Sequence, residues 1–200
     1  METPRTAVLT MELQRGVCGD LATFDALAEA VRATGVAERS AELASAARTK
    51  GVPVGHCIFS LPAERTGIDL SSPLLRAART DPTYLLSGSP ATELLPGLGP
   101  MDGDFVTDRH HGVSPFAGTD LHRRLQELGV QQLVVCGVSL NVGVPGLVIE
   151  AVNHGYAVTV ATDAVVGVPV DYGELVLQNT LRPIARLSTV DGISRGWLGP

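Results

Sequence analysis

Leu133-Val134-Val135-Cys136-Gly137-Val138-Ser139-Leu140-Asn141-Val142-Gly143-Val144 decides how this chain is read. An apolar run with several β-branched residues gives way to a Gly-Val-Ser turn, and a helix-forming stretch follows. A strand that is apolar at every position needs cover on both faces, which is the pattern of a parallel sheet inside an α/β domain. The carboxyl ends of such strands open onto the crevice where ligands bind. Chemistry is therefore expected at this turn. Gly143, which has no side chain, lies within it.

Outward from that stretch the same rhythm repeats. Downstream, a helix is expected from Asn141 to His154, with Asn141 as its N-cap and Pro145 in its first turn, where a missing N–H costs little. A strand over Tyr156–Thr162, a helix over Asp171–Leu181 and a last strand over Ala185–Val190 complete the second half. Upstream, Thr6–Met11, Val52–Phe59 and Asp104–Thr107 read as strands, and Thr119–Leu128 as an amphipathic helix stopped at Gly129. Ala26–Lys50 is helical with an interruption at Gly35. Residues 60–103, rich in Pro, Gly, Ser and Thr, form a long excursion with one short helix around Ser72 to Arg79. The expectation is one domain over residues 1–200, a three-layer α/β/α sandwich around a mostly parallel six-stranded sheet.

Composition narrows the function classes. The chain has 200 residues, 44% of them hydrophobic, enough for one sizeable core. A net charge of −6 advertises no basic face for nucleic acid. No apolar run reaches the roughly 20 residues of a membrane helix, and the N-terminus lacks a signal-peptide pattern. Cys18, Cys57 and Cys136 are odd in number and not spaced as metal ligands, so a reducing cytoplasm is expected. Cys57 and Cys136 fall in apolar strands and read as inert, whereas Cys18 falls in a loop and reads as the accessible thiol. His110 and His111 are adjacent on an extended segment and point to opposite sides, which disfavours a shared metal.

Three positions fall at strand ends and can converge: Glu12, Arg109 and the turn from Val138 to Gly143. The residues that carry these positions are Glu12-Leu13-Gln14, Arg109-His110-His111-Gly112-Val113-Ser114-Pro115-Phe116-Ala117-Gly118-Thr119-Asp120-Leu121, and Gly137 through Gly143. In this order and on these elements they resemble the isochorismatase-like cysteine hydrolase family across essentially the whole chain. Gly155-Tyr156 and Thr162-Asp163-Ala164 add to the likeness. The resemblance implies a Rossmann-like fold, a homodimer or homotetramer, no cofactor and no metal. It also implies a cis peptide at Val138–Ser139 that aims backbone N–H groups into the pocket.

The family's triad positions are altered here: Glu12 stands for Asp, Arg109 for Lys and Gly143 for the nucleophilic Cys. A missing thiol removes the attacking atom of the family's amidase chemistry. Arg109 suits a carboxylate better than Lys does, because its guanidinium offers a planar fork of donors. The resemblance therefore implies a thiol-independent hydrolase acting on a small carboxylated substrate. Glu12 would be the general acid and Arg109 the anion binder, with Gly143 leaving room for substrate. Gln14, Phe116, Val138 and Ser139 are the expected substrate contacts, and Asp163 is expected to be structural. The alternative is an inactive family member that keeps the pocket and binds a ligand or protein partner.

Overall fold

Alternating apolar residues on strand β1 (Thr6–Met11) build the first wall of the molecule. Ala7, Leu9 and Met11 enter one apolar cluster while Val8 enters another, because successive side chains of a strand point to opposite faces. The computed structural model describes residues 5–65, 73–74 and 81–197. The short helix expected around Ser72 to Arg79 lies outside the described residues, apart from Pro73 and Leu74. After β1 come α1 (Arg15–Cys18), α2 (Asp25–Thr34) and α3 (Val36–Thr49), then β2 (Val54–Phe59). Gly35 separates α2 from α3 at φ +70°. The excursion carries a 3₁₀ turn over Pro90–Thr92 and leads to β3 (Phe105–Arg109). The second half runs α4 (Leu121–Glu127), β4 (Gln132–Val138), α5 (Gly143–Asn153), β5 (Ala157–Val166), α6 (Val170–Val176), β6 (Arg186–Ser188) and α7 (Val190–Gly196).

The six strands form one sheet in the order β3-β2-β1-β4-β5-β6, and every pair is parallel. Successive strands are added toward one edge from β1 to β3 and toward the other from β4 to β6, so strand order reverses between β1 and β4, the switch point at which α/β sheets open a crevice. One face is covered by Leu121, Leu125, Val144, Leu147 and Leu181 from α4, α5 and the turn after α6. The other is covered by Leu43, Ala44 and Ala47 of α3 with Val190 and Ile193 of α7. α2 packs over the carboxyl end of the sheet, where Leu27 and Val31 meet Leu13, Val138 and Val166. No helix among the described residues is long and apolar enough to cross a membrane.

Several boundaries differ from the sequence reading, each for a local reason. α5 begins at Gly143 rather than Asn141, since the Asn141 side chain is engaged with Val168 and caps nothing. β5 runs on to Val166 because its far end still pairs with Gly137 and Val138. The helix expected to reach Leu181 ends at Val176 and continues as a π turn over Leu177–Leu181. The last strand is shorter than expected and Val190 starts a helix, with the Thr189 hydroxyl accepting from the Gly192 N–H at 3.2 Å. Asp163 lies inside β5 and accepts from the Val190 N–H at 2.8 Å and from Arg39, so it ties α3 and α7 to the sheet.

Candidate active site

A cavity of about 370 Å³ opens at the carboxyl ends of β1, β3 and β4. Its walls are mostly apolar, from Val17, Phe24 and Leu27 on one side to Val113, Val142 and Val168 on the other. Among the described residues, Glu12 and Arg109 are the charged side chains that line it.

Glu12 follows the last residue of β1 and turns the chain at φ +50°, a conformation that costs a side-chain-bearing residue about 1 kcal/mol. The turn is held by its N–H donating to the Cys57 carbonyl at 2.9 Å and its carbonyl accepting from the Gln14 N–H at 2.8 Å. Arg109 is the last residue of β3 and is only 5% exposed. Its Nη2 donates to Glu12 Oε1, joining residues far apart in sequence. The guanidinium carbon lies 4.6 Å from the centre of the Phe59 ring, a cation–π contact. Its Nε and Nη1 are buried with no hydrogen-bond partner among the described residues. Burial pushes the Glu12 carboxyl above its ordinary value, and the charge and hydrogen bond of Arg109 oppose that rise.

The Val138–Gly143 turn forms the third side. Gly137 adopts φ +113° in direct contact with β1; a Cβ there would sit 2.2 Å from the Met11 carbonyl oxygen, so only glycine fits. The Val138–Ser139 peptide is cis, as expected. The N–H groups of Leu140, Val142 and Val144 donate to the carbonyls of Val166 and Ser139, so these three are not anion-hole donors. Gly143 starts α5 on the cavity wall. A Cβ on it would lie 3.0 Å from Met11 Cε, 3.2 Å from the Val138 oxygen and 3.3 Å from Glu12 Oε2. The space above Gly143 therefore adjoins the carboxyl group directly.

Glu12, Arg109, Gly143 and Ser139 thus share one cavity, while the other expected contacts lie elsewhere. Gln14 is fully buried; its Oε1 accepts from the Phe59 N–H at 2.8 Å and its Nε2 donates to the carbonyls of Phe59 and Thr92. It clamps the end of β2 to the excursion instead of facing a ligand. Phe116 packs in the core, its ring 6.3 Å from Tyr156 and 4.9 Å from His154, because its segment folds back toward α4 and α5. The Val138 side chain is buried among Leu13 and Val166, and only its backbone approaches Gly143. Cys18 is also buried, at the end of α1, which corrects its reading as an accessible loop thiol. Burial pushes the thiols of Cys18, Cys57 and Cys136 up to about 12, and none of them lines the cavity. The sequence reading missed the wall residues Phe24, Phe59, Tyr84 and Val168. Phe59 at a strand end next to the turn was the one available signal.

An all-parallel sheet in this order, with a Glu–Arg ion pair and a cavity at the carboxyl ends of its strands, defines an α/β domain with a pocket at its switch point. A family model for the isochorismatase domain matches residues 6–191, and the chain belongs to the isochorismatase family. It is 27% identical to the isochorismatase family protein YecD of Escherichia coli O157:H7 over 94% of both chains. It is 25% identical to the phenazine biosynthesis protein PhzD of Pseudomonas fluorescens, covering 79% of this chain and 73% of that one. The match to the isochorismatase family protein YwoC of Bacillus subtilis reaches 41% identity, but spans 38% of that protein's length and 36% of this chain. The fold matches a cysteine hydrolase from Pseudomonas syringae pv. phaseolicola with a TM-score of 0.82, at 21% identity over 97% of this chain and 92% of that one.

Proposed function

We propose that the chain is a thiol-independent hydrolase acting on a small carboxylated substrate, with Glu12 as general acid and Arg109 holding the substrate carboxylate. The observation that carries this reading is the buried Glu12–Arg109 pair on the wall of an apolar cavity, with Gly143, a residue without a side chain, beside it. A general acid working near neutral pH needs a proton held more tightly than an ordinary carboxyl holds it, and burial among apolar walls acts in that direction. The chemistry that suits such a site is cleavage of a vinyl ether. The acid protonates the terminal enol carbon, water adds to the resulting cation, and the hemiketal collapses to a ketone and an alcohol. A side chain at position 143 would crowd Glu12 Oε2, since even a Cβ would sit 3.3 Å from it, so glycine keeps that oxygen uncovered on this side.

Pyruvate release from isochorismate by the purified protein tests this, with Glu12→Gln run in parallel. Release by the wild type, reduced about 10²-fold or more in the variant, is the expected result. A folded wild type that releases no pyruvate, or a variant at full rate, defeats the assignment. Ligand binding without turnover would then favour the inactive family member.

A further inference from the structure

The Arg109 guanidinium is only partly used. Nη2 is held by Glu12, while Nε and Nη1 have no partner among the described residues. A carboxylate grips a guanidinium through two adjacent N–H groups, and both such edges, Nε with Nη2 and Nη1 with Nη2, include the nitrogen that Glu12 occupies. Nη2 carries two hydrogens, one on each edge, so an arriving carboxylate either shares Nη2 with Glu12 or displaces it, and in both cases two carboxylates then face one cation.

We propose that a ligand carboxylate competes with Glu12 for Arg109, and that Glu12 then takes a proton from solvent, so that binding at this cavity is coupled to proton uptake. The ligand is a carboxylate on a compact apolar body, which the walls of Phe24, Leu27, Phe59, Leu85, Val113 and Val142 accept. The balance is simple: the free site holds one carboxylate and one guanidinium, and the loaded site holds the ligand carboxylate, the guanidinium and a neutral Glu12 carboxyl.

The groups around Glu12 explain why the proton goes there. Arg109 faces it from β3, Cys18 from α1, Cys57 from β2 and Tyr84 from the excursion. The thiols and the phenol carry no positive charge that would keep a second carboxylate ionised, and among the described residues Arg109 alone favours the ionised Glu12 carboxyl. Two carboxylates sharing one cation in a desolvated site do not both stay ionised. Glu12, with Oε2 beside the side-chain-free Gly143, becomes the neutral one. Seating the ligand would thus arm the acid, and the empty site would keep its carboxylate paired.

This inference rests on reading the pair as the ligand site but not on hydrolysis, so it is tested without turnover. Benzoate is titrated calorimetrically into the wild type at constant pH, in phosphate and in Tris, whose ionisation enthalpies differ. The expected result is a buffer-dependent enthalpy reporting close to one proton taken up per ligand, with Kd weakening by about tenfold per pH unit where free Glu12 is ionised. Glu12→Gln should bind benzoate with an enthalpy independent of buffer and a Kd nearly independent of pH. Uncharged benzamide should show no proton uptake on the wild type. Benzoate binding without uptake, uptake that survives in Glu12→Gln, or no benzoate binding by the folded wild type overturns the proposal. If the variant does not fold, the wild-type buffer series decides alone. A protein that releases pyruvate through Glu12 yet binds benzoate without uptake would sink this inference and leave the hydrolase reading standing.

Discussion

In the middle of β2, His56 is fully buried and both its ring nitrogens are engaged: Nδ1 with the Thr10 hydroxyl at 2.9 Å and Nε2 with Asp104 at 3.1 Å. Asp104 also accepts from Arg48 Nε at 3.1 Å, Arg48 Nη2 at 2.7 Å and the Met101 N–H at 2.8 Å. Glu12 and Arg109, at the carboxyl ends of β1 and β3, form a second buried ionic group, but one with donors that have no partner among the described residues, a left-handed turn and an open cavity beside it. An ionised Asp104 only accepts, so His56 Nε2 carries the proton, and a neutral ring then accepts from Thr10 at Nδ1. The difference teaches how to sort buried charge. A group whose every donor and acceptor is matched holds elements together, whereas one left partly unmatched beside a cavity has donors to spare for a ligand.

Opposite variants sharpen this contrast. Glu12→Gln should cost about 10²-fold or more in turnover, while the free energy of unfolding in urea changes by no more than about 1 kcal/mol. Asp104→Ala should do the reverse. It strands His56 and Arg48 and should cost about 3 kcal/mol in urea unfolding, with turnover per folded molecule nearly unchanged. Equal losses of stability in the two variants would break the distinction.

Arg109→Lys keeps the charge but loses the fork and the stack on Phe59, and should weaken benzoate binding about tenfold by calorimetry. An unchanged Kd would show that charge alone holds the anion.

The smallest effect is in the pH dependence of stability, where the two groups have opposite signs. Burial holds the His56 imidazole below its ordinary 6.5, so the unfolded chain binds more protons there, and this contribution is lost as pH falls below that value. Burial holds Glu12 above its ordinary 4.5, so the folded chain binds more protons just above that pH, and this contribution falls as pH rises. Each slope is bounded by about 1.4 kcal/mol per pH unit. Urea midpoints between pH 4.5 and 7.5 should therefore rise more steeply with pH in Glu12→Gln than in the wild type. A shallower rise in the variant would reverse the sign assigned to Glu12.

Much of the molecule could be read along the chain. The strand–helix alternation, the breaks at Gly35 and Gly129, and the strand ends carrying Glu12 and Arg109 all depend on local pattern, and local pattern is visible in one dimension. Glu12, Arg109, Gly143 and Ser139 were placed by their motifs. Gln14 and Phe116 were misread because motif spacing says that a side chain is near a site but not which way it faces. Gln14 turns to the backbone of Phe59 and Thr92, and Phe116 turns into the core. The helix at Val190 was missed because Leu187–Val190 has strand-like composition, and the Thr189 cap was the weaker signal.

What the sequence by itself determined is the alternation of elements and the residue types at the strand ends, because burial on both faces and turn chemistry demand those residues locally. Which charges meet was decided only by the tertiary structure. Glu12 reaches Arg109 across 97 positions, and His56 reaches Asp104 across 48. Each pairing depends on strand order and register, which bring β1, β2 and β3 side by side. The unmatched nitrogens of Arg109 likewise follow from what packs around it, and no residue spacing encodes them.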